Sequence, residues 1–266
     1  MALEQAQLDK LTDEFLVVRS KGGTLELPSR RYPGFSLDDA YTIGRQLRQS
    51  RLNDGLVAAG KKIGFTNQAI WPAMGIGHPI WATIYRQTIQ QIKELNLGGM
   101  TAPKIEPEIV FGLSRDLVGQ DLPAEQILAA MEWYALGFEI VDCNYPDWKC
   151  TPADAIADFG LHAALIIGEP QPIDPTRGAA FAEFGVKLYQ DNELAAEGSG
   201  RDVLGSPVLA INWLLDALEK TSTPGLMAGE TVTTGTLTDA LAIAPGQTWR
   251  FEVNGLDLAP LTLKFG

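Results

Sequence analysis

The sequence predicts an α+β fold, with helices gathered at the front of the chain and strands following one another behind them. Three observations carry this reading. Apolar residues recur at helical spacing, with capping signals, through the first sixty positions. From Lys104 onward, short apolar runs bounded by Gly, Pro and Asn succeed each other directly. Helical windows between these runs are few and irregular, unlike the strict alternation that a parallel sheet requires.

Taken in order, Leu3, Leu8, Leu11, Phe15 and Val18 place one apolar stripe on a helix over residues 2–21. A Gly-Gly and Pro-containing loop follows. Ser36-Leu37-Asp38-Asp39 reads as a capping box that opens a helix to about Ala59, and Gly60 ends it. KKIGFT is then a short strand. Residues 67–100 show little periodicity and read as a loop-rich lid holding Trp71 and Trp81. KIEPEIVFGL and WYALGFEIVD read as strands, linked by a short helix from Pro123 to about Met131. Thr151-Pro152-Ala153-Asp154 caps another helix, with Pro at its first position. LHAALIIG is a buried strand, and EFGVKLYQDNELAAEG a hairpin turning at Asp191-Asn192. Ser206-Pro207 caps a helix to about Lys220. TVTTGTL, TWRFEVNG and LDLAPLTLKF close the chain as strands, the last two joined through Asn254-Gly255.

The chain has 266 residues, enough for one large domain or for a small N-terminal piece and a main one. Its formal charge of -12 argues against nucleic acid and anionic membranes as partners. No apolar stretch has the length of a membrane span, and the polar, helical N-terminus does not read as a secretion signal. Cys143 and Cys150 therefore read as free thiols of a cytoplasmic protein.

Three carboxylates stand out chemically. Glu106 and Glu108 lie two apart in KIEPEIVFGL, so they share one face of a strand while Ile105 and Ile109 face the other way. Glu139 sits in the equally apolar ALGFEIVD. An ionised carboxylate buried alone is very costly, so these three call for compensation. The supply of two His and two Cys is poor for a zinc-type site. A hard cation held by oxygen, Mg²⁺ or Mn²⁺, suits an all-carboxylate set.

Several segments recur together in one order: GKKIGFT, KIEPEIVF, GFEIVD, Ala157-Asp158 before a strand, EGSGRDVLGSPVLAINWL and TTGTLTDA. This set, over nearly the whole chain, resembles the fumarylacetoacetate hydrolase superfamily. LGSP…NWL draws the resemblance toward its branch of 2-keto-4-pentenoate hydratases and 4-oxalocrotonate decarboxylases. The resemblance implies a small N-terminal α/β part and a mixed-strand β-roll, divided here as residues 1–100 and 101–266, in a homo-oligomer. It also implies a divalent metal on Glu106, Glu108 and Glu139, and acid–base chemistry at Lys62, whose burial would lower its pKa toward neutrality. Lys61, its neighbour, then reads as a surface lysine. The implied activity is a metal-dependent lyase on a small unsaturated 2-oxo acid or its 2-hydroxydienoate tautomer. A hydratase of the 2-keto-4-pentenoate type, in the catabolism of aromatic compounds, comes first. A 4-oxalocrotonate-type decarboxylase, an acylpyruvate C–C hydrolase and a non-catalytic 2-oxo acid binder remain open.

The chain departs from the family pattern twice. Relatives carry an Asp in the loop around residues 78–80, where this chain reads GHPIWA. After Ala157-Asp158 relatives carry a polar run, where this chain reads FGLHA. His78 and His162 fall at these two places and are candidates for the acid–base group displaced there. Trp81, Phe159 and Leu161 are candidate walls of the substrate pocket. Thr234, Gly235 and Thr236 either bind the substrate carboxylate or form an ordinary strand turn.

Overall fold

The computed structural model describes residues 2–266. Helix α1 (Gln5–Lys21) is followed by the single turn α2 (Pro28–Arg31) and by α3 (Leu37–Asn53), whose capping box is formed by Ser36 and Asp39. Strand β1 (Ala58–Gly64), the turn α4 (Trp71–Met74), β2 (Ile80–Tyr85), β3 (Ile89–Gln90) and β4 (Glu94–Leu95) complete the first hundred residues. Two long strands then dominate: β5 (Pro103–Leu113) and β6 (Met131–Asp142), separated by α5 (Ala124–Ala129). After them come α6 (Pro152–Ala157), β7 (His162–Ile167), β8 (Gln171–Pro172), α7 (Ala180–Glu183), β9 (Gly185–Gln190), β10 (Glu193–Ser199) and α8 (Pro207–Lys220). The chain closes with β11 (Thr231–Thr233), β12 (Leu241–Ala242), β13 (Thr248–Asn254) and β14 (Leu261–Phe265).

The strands form two sheets. The larger is mixed and runs β2-β1-β11-β5-β6-β7-β3, with β12 beside β5 and β8 beside β6. The smaller runs β10-β9-β13-β14-β4. The sheets pack against each other through their apolar faces, where Phe138 of β6 meets Phe251 of β13 with ring centroids 5.9 Å apart. A second apolar cluster joins α1, α3 and α6 through Leu11, Phe15, Ile43 and Ile156. Arg19 of α1 ties these helices to the sheet end: its Nε donates to Asp158 at 3.1 Å, and its Nη2 donates to the Asp142 carbonyl at 3.0 Å.

Three expectations are revised. The helix opened by Ser36 ends at Asn53, and Ala58–Gly60 already belong to β1. Residues 67–100 are not chiefly loop, because Ile80–Tyr85 is a full strand paired with β1. Their weak alternation reflects burial in patches on both faces, which removes the period-two signal. As a result, β1–β3 belong to the large sheet and β4 to the small one, so both sheets draw on residues either side of position 100. β13 and β14 are antiparallel neighbours, but their last pair is Phe251 with Leu261, so a long connection replaces a tight turn at Asn254-Gly255. Asn254 instead pairs with Gly185 of β9.

Candidate metal centre and cavity

The site is built on the middle of the large sheet. β5 and β6 are antiparallel, and their register sets Glu106 directly opposite Glu139 and Glu108 opposite Gly137. Alternation then puts all three carboxylates on one face. They offer ligand oxygens that all lie within 4.8 Å of one another. Glu108 and Glu139 are wholly buried. β1 reaches this face through β11: Lys62 pairs with Thr233, and Thr233 with Val110 of β5. Lys62 Nζ thereby comes to 3.4 Å from Glu139 Oε2. Ala82 of β2 lies opposite Lys62, and Gly160 packs over both; a Cβ on Gly160 would meet that of Ala82 at 2.5 Å.

The electrostatics are those of too many acids in one dry place. Burial pushes Glu106 up, Lys62 pulls it back, and Glu139 pushes it up again, leaving it at about 7. Burial and the charges of Glu139 and Glu106 hold Glu108 well above the ordinary carboxylate range. Glu139 is lowered despite its burial, because Lys62 and a hydrogen bond from His162 favour its ionised form. Lys62 shows the reverse of the sequence expectation. Burial does act to lower its pKa, but the charges of Glu139, Glu106 and Glu108 outweigh that and hold it raised.

Two carboxylate oxygens in this cluster, Glu108 Oε1 and Glu139 Oε2, are buried without a hydrogen-bond partner. Such orphaned acceptors are expensive unless something positive meets them. The donor set is all oxygen and the carboxylates converge, so these residues fit a hard divalent cation. The second oxygens of Glu108 and Glu139 are already held. Gly235 N–H donates to Glu108 Oε2 at 2.9 Å, and His162 Nδ1 lies 2.8 Å from Glu139 Oε1. Gly235 can do this only as glycine: its φ is +96°, and a Cβ would sit 2.2 Å from Thr66 Oγ1.

A cavity of about 490 Å³ opens over this cluster, with Lys62 and Glu106 on its floor. Its walls are largely apolar, including Ile63, Phe65, Ile80, Trp148 and Leu161. Glu197, Asp202 and Asp239, all exposed, stand at its edge, and Lys62 is the one basic residue among its lining.

The remaining candidates divide between this cavity and other surroundings. Leu161 and Thr236 line it. Thr234 is fully buried and donates to the Ile109 carbonyl, so it braces β5. The Gly235 amide is directed at Glu108 rather than at the cavity. His162 lies behind Glu139, with Nε2 2.7 Å from Thr88 Oγ1. His78 is in a loop apart from the cavity lining, with Nδ1 2.9 Å from the Pro79 carbonyl. Trp81 stacks on Tyr41 and donates from Nε1 to Thr221, so it packs α3 and α8 against β2. Trp71 is likewise packed, edge-on to Trp213. Phe159 lies under the guanidinium groups of Arg19 and Arg51, outside the cavity. Lys61 is not a surface lysine: it is buried and holds Glu230 at 2.6 Å. Glu230 is 169 positions away in sequence, so no local signal announced it. The acids at the edge of the cavity also carried no pattern, since exposed carboxylates are common.

Residues 60–262 match the family model for the fumarylacetoacetate (FAA) hydrolase C-terminal domain. The chain is 30% identical over 236 residues to a 2-hydroxyhexa-2,4-dienoate hydratase of Comamonas testosteroni, covering 88% of each chain. It is 29% identical to a 2-keto-4-pentenoate hydratase of Paraburkholderia xenovorans (strain LB400), covering 85% of this chain and 83% of that one. Its fold superposes on 4-oxalocrotonate decarboxylase from Pseudomonas putida G7, complexed with magnesium and adipate, with a TM-score of 0.91. That match has 22% identity and covers 100% of this chain and 99% of the other. Family model, sequence relatives and fold agree, and the chain belongs to the fumarylacetoacetate hydrolase superfamily, in its branch of 2-keto-4-pentenoate hydratases and 4-oxalocrotonate decarboxylases.

Proposed function

We propose that this protein is a divalent-metal-dependent lyase acting on a small unsaturated 2-oxo acid that carries a single carboxylate, and that it works as a hydratase. The observation that carries the proposal is the convergence of Glu106, Glu108 and Glu139 beside Lys62 on the floor of a mainly apolar cavity. Mg²⁺ or Mn²⁺ held by the three carboxylates would supply the positive charge that attracts the substrate's carboxylate and 2-oxo oxygen and favours enolate over ketone.

The protein's own residues supply the rest. Lys62, kept protonated by its acidic neighbours, donates from Nζ to C5 of a 2-hydroxypenta-2,4-dienoate, and the proton released by the 2-hydroxyl returns through water to Nζ. The product of that step is a conjugated enone. Water then adds with its oxygen to C4 and its proton to C3, giving a 4-hydroxy-2-oxo acid. The apolar walls orient the hydrocarbon tail and limit the water that reaches it. His162 orients Glu139, and His78 takes no part.

Hydration and decarboxylation share an enolate, so the carboxylates alone favour neither. The charges at the edge of the cavity favour hydration. A decarboxylase of the oxalocrotonate kind must hold a second carboxylate. Here that group would meet Glu197, Asp202 and Asp239 and no lining cation beyond Lys62. Proton NMR of the purified protein with Mg²⁺, a 2-hydroxydienoate and its dicarboxylate analogue tests the reading. A 4-hydroxy-2-oxo acid should accumulate from the monocarboxylate, whereas CO₂ release from the dicarboxylate as the faster reaction would reverse it. No turnover of either would reduce the protein to a binder.

A further inference from the structure

A second cavity, of about 310 Å³, lies on the far side of Glu139 and His162 from the metal centre. Its lining is mostly polar and includes Arg19, Arg51, Thr83, Thr88, His162 and Asp142, whose carboxylate is already held by Arg19 and the amides of Thr101 and Ala102. The two arginines differ sharply. Arg19 is paired with Asp158 and Asp142. Arg51, from α3, is in contact with no carboxylate among the described residues, and Asp54 acts on it only through space. Its Nε is buried without an acceptor.

The surroundings of Arg51 increase the cost of that unpaired donor. Its guanidinium stacks on Phe159 at 4.1 Å and on Tyr85 at 5.4 Å, so the group is fixed in orientation. Arg19 lies over the same Phe159 ring at 5.4 Å, bringing a second positive charge close. A half-buried cation beside a like charge, with its one buried donor left unused, lacks an anion. The Nε side of a guanidinium presents two N–H groups in one plane, which matches the two oxygens of a carboxylate. Thr83 and Thr88 add hydroxyls to the same lining.

We infer that this second cavity is a binding site for a small carboxylate, held by Arg51 and distinct from the metal centre. A carboxylate there would also lie beside His162, whose other ring nitrogen meets Glu139, so occupancy would be felt by a residue of the metal cluster.

Acetate is the probe, titrated calorimetrically into the full-length protein with Mg²⁺ and again with EDTA. Binding should appear in both conditions and weaken at least about tenfold in Arg51→Gln, the loss of one bidentate charge-assisted pair. It should persist in Lys62→Met. Equal binding by Arg51→Gln overturns the inference, as does binding that requires Mg²⁺, which would assign the acetate to the first cavity. Inorganic phosphate binding where acetate does not would overturn the choice of carboxylate. A crystal structure of the unaltered protein soaked in acetate decides the matter even if Arg51→Gln misfolds. The carboxylate must lie on Arg51 Nε, and an acid from a second copy of the chain in that position would refute the site.

Discussion

Replacing His162 by Ala tests whether this imidazole positions a ligand or moves protons. His162 is buried, with Nδ1 2.8 Å from Glu139 Oε1 and Nε2 2.7 Å from Thr88 Oγ1. Glu139 Oε2 already lacks a hydrogen-bond partner, so the substitution strips the carboxylate of its only hydrogen-bond donor and leaves Lys62 at 3.4 Å as its support. A hydrogen bond to a charged group contributes about 1.5–3 kcal/mol. At about 1.4 kcal/mol per factor of ten, that predicts a loss of roughly 10–100-fold in Mg²⁺ affinity, the range typical of groups that orient metal ligands. The assay is calorimetric titration of Mg²⁺ into both proteins, with turnover followed as Mg²⁺ is raised. His162→Ala should need more Mg²⁺ and then recover most of its turnover, and His162→Asn should retain part of the affinity. Unchanged Mg²⁺ affinity together with lost turnover and a missing limb of the pH profile would refute the positioning role and restore an acid–base one.

Adjacent lysines should respond in opposite ways. Lys62→Met should lower turnover by at least about 100-fold with the fold intact, the low end for a lost general acid. Lys61→Met should keep turnover and cost about 2 kcal/mol in denaturant titrations, less than a fully buried pair because the Glu230 side chain is one-fifth exposed. Removing the metal should make stability depend on pH. Glu106 ionises near its ordinary 4.5 when unfolded but at about 7 when folded, so the folded protein binds the extra proton between those values. Stability of the EDTA-treated protein should therefore fall as pH rises from about 4.5 to about 7, and Mg²⁺ should reverse the trend; thermal melts across that window read it directly. Asp239→Arg, at the exposed edge of the cavity, should raise kcat/KM for a dicarboxylate relative to the monocarboxylate by about tenfold, and an unchanged ratio would place the substrate tail elsewhere.

What the sequence revealed followed from local periodicity. Glu106 and Glu108, two apart in an apolar run, had to share a strand face, and they do. Ser36, Thr151 and Ser206 signalled helix starts because caps are short-range devices, and each accepts a backbone N–H at its helix start. Non-local pairings were not legible. Nothing near Lys61 indicates Glu230, and only the path β1–β11–β5 brings Lys62 to Glu139. The first hundred residues misled because β2 is flanked by a turn and a loop and is half-buried on both faces, so it lacks clean alternation. The TTGT run left carboxylate binding and an ordinary strand turn both open, because the direction of the Gly235 amide, inward to Glu108, depends on a φ that the sequence does not show.

Charge balance links the metal centre to the choice of substrate. Three carboxylates and one ammonium leave two negative charges uncompensated on the cavity floor. Burial first, and the neighbouring carboxylate charges after it, raise the pKa values of Glu106 and Glu108, and protonation is the means left to the chain for relieving that excess. A divalent cation would relieve it completely and allow all three carboxylates to ionise. The floor would then be neutral before substrate enters, and each carboxylate on the substrate would add a charge with no further cation in the lining to meet it. One such charge can be shared between the cation and Lys62. A second, at the far end of the molecule, would face Glu197, Asp202 and Asp239, so the same bookkeeping that calls for a divalent ion supports the proposed substrate with a single carboxylate and an apolar tail.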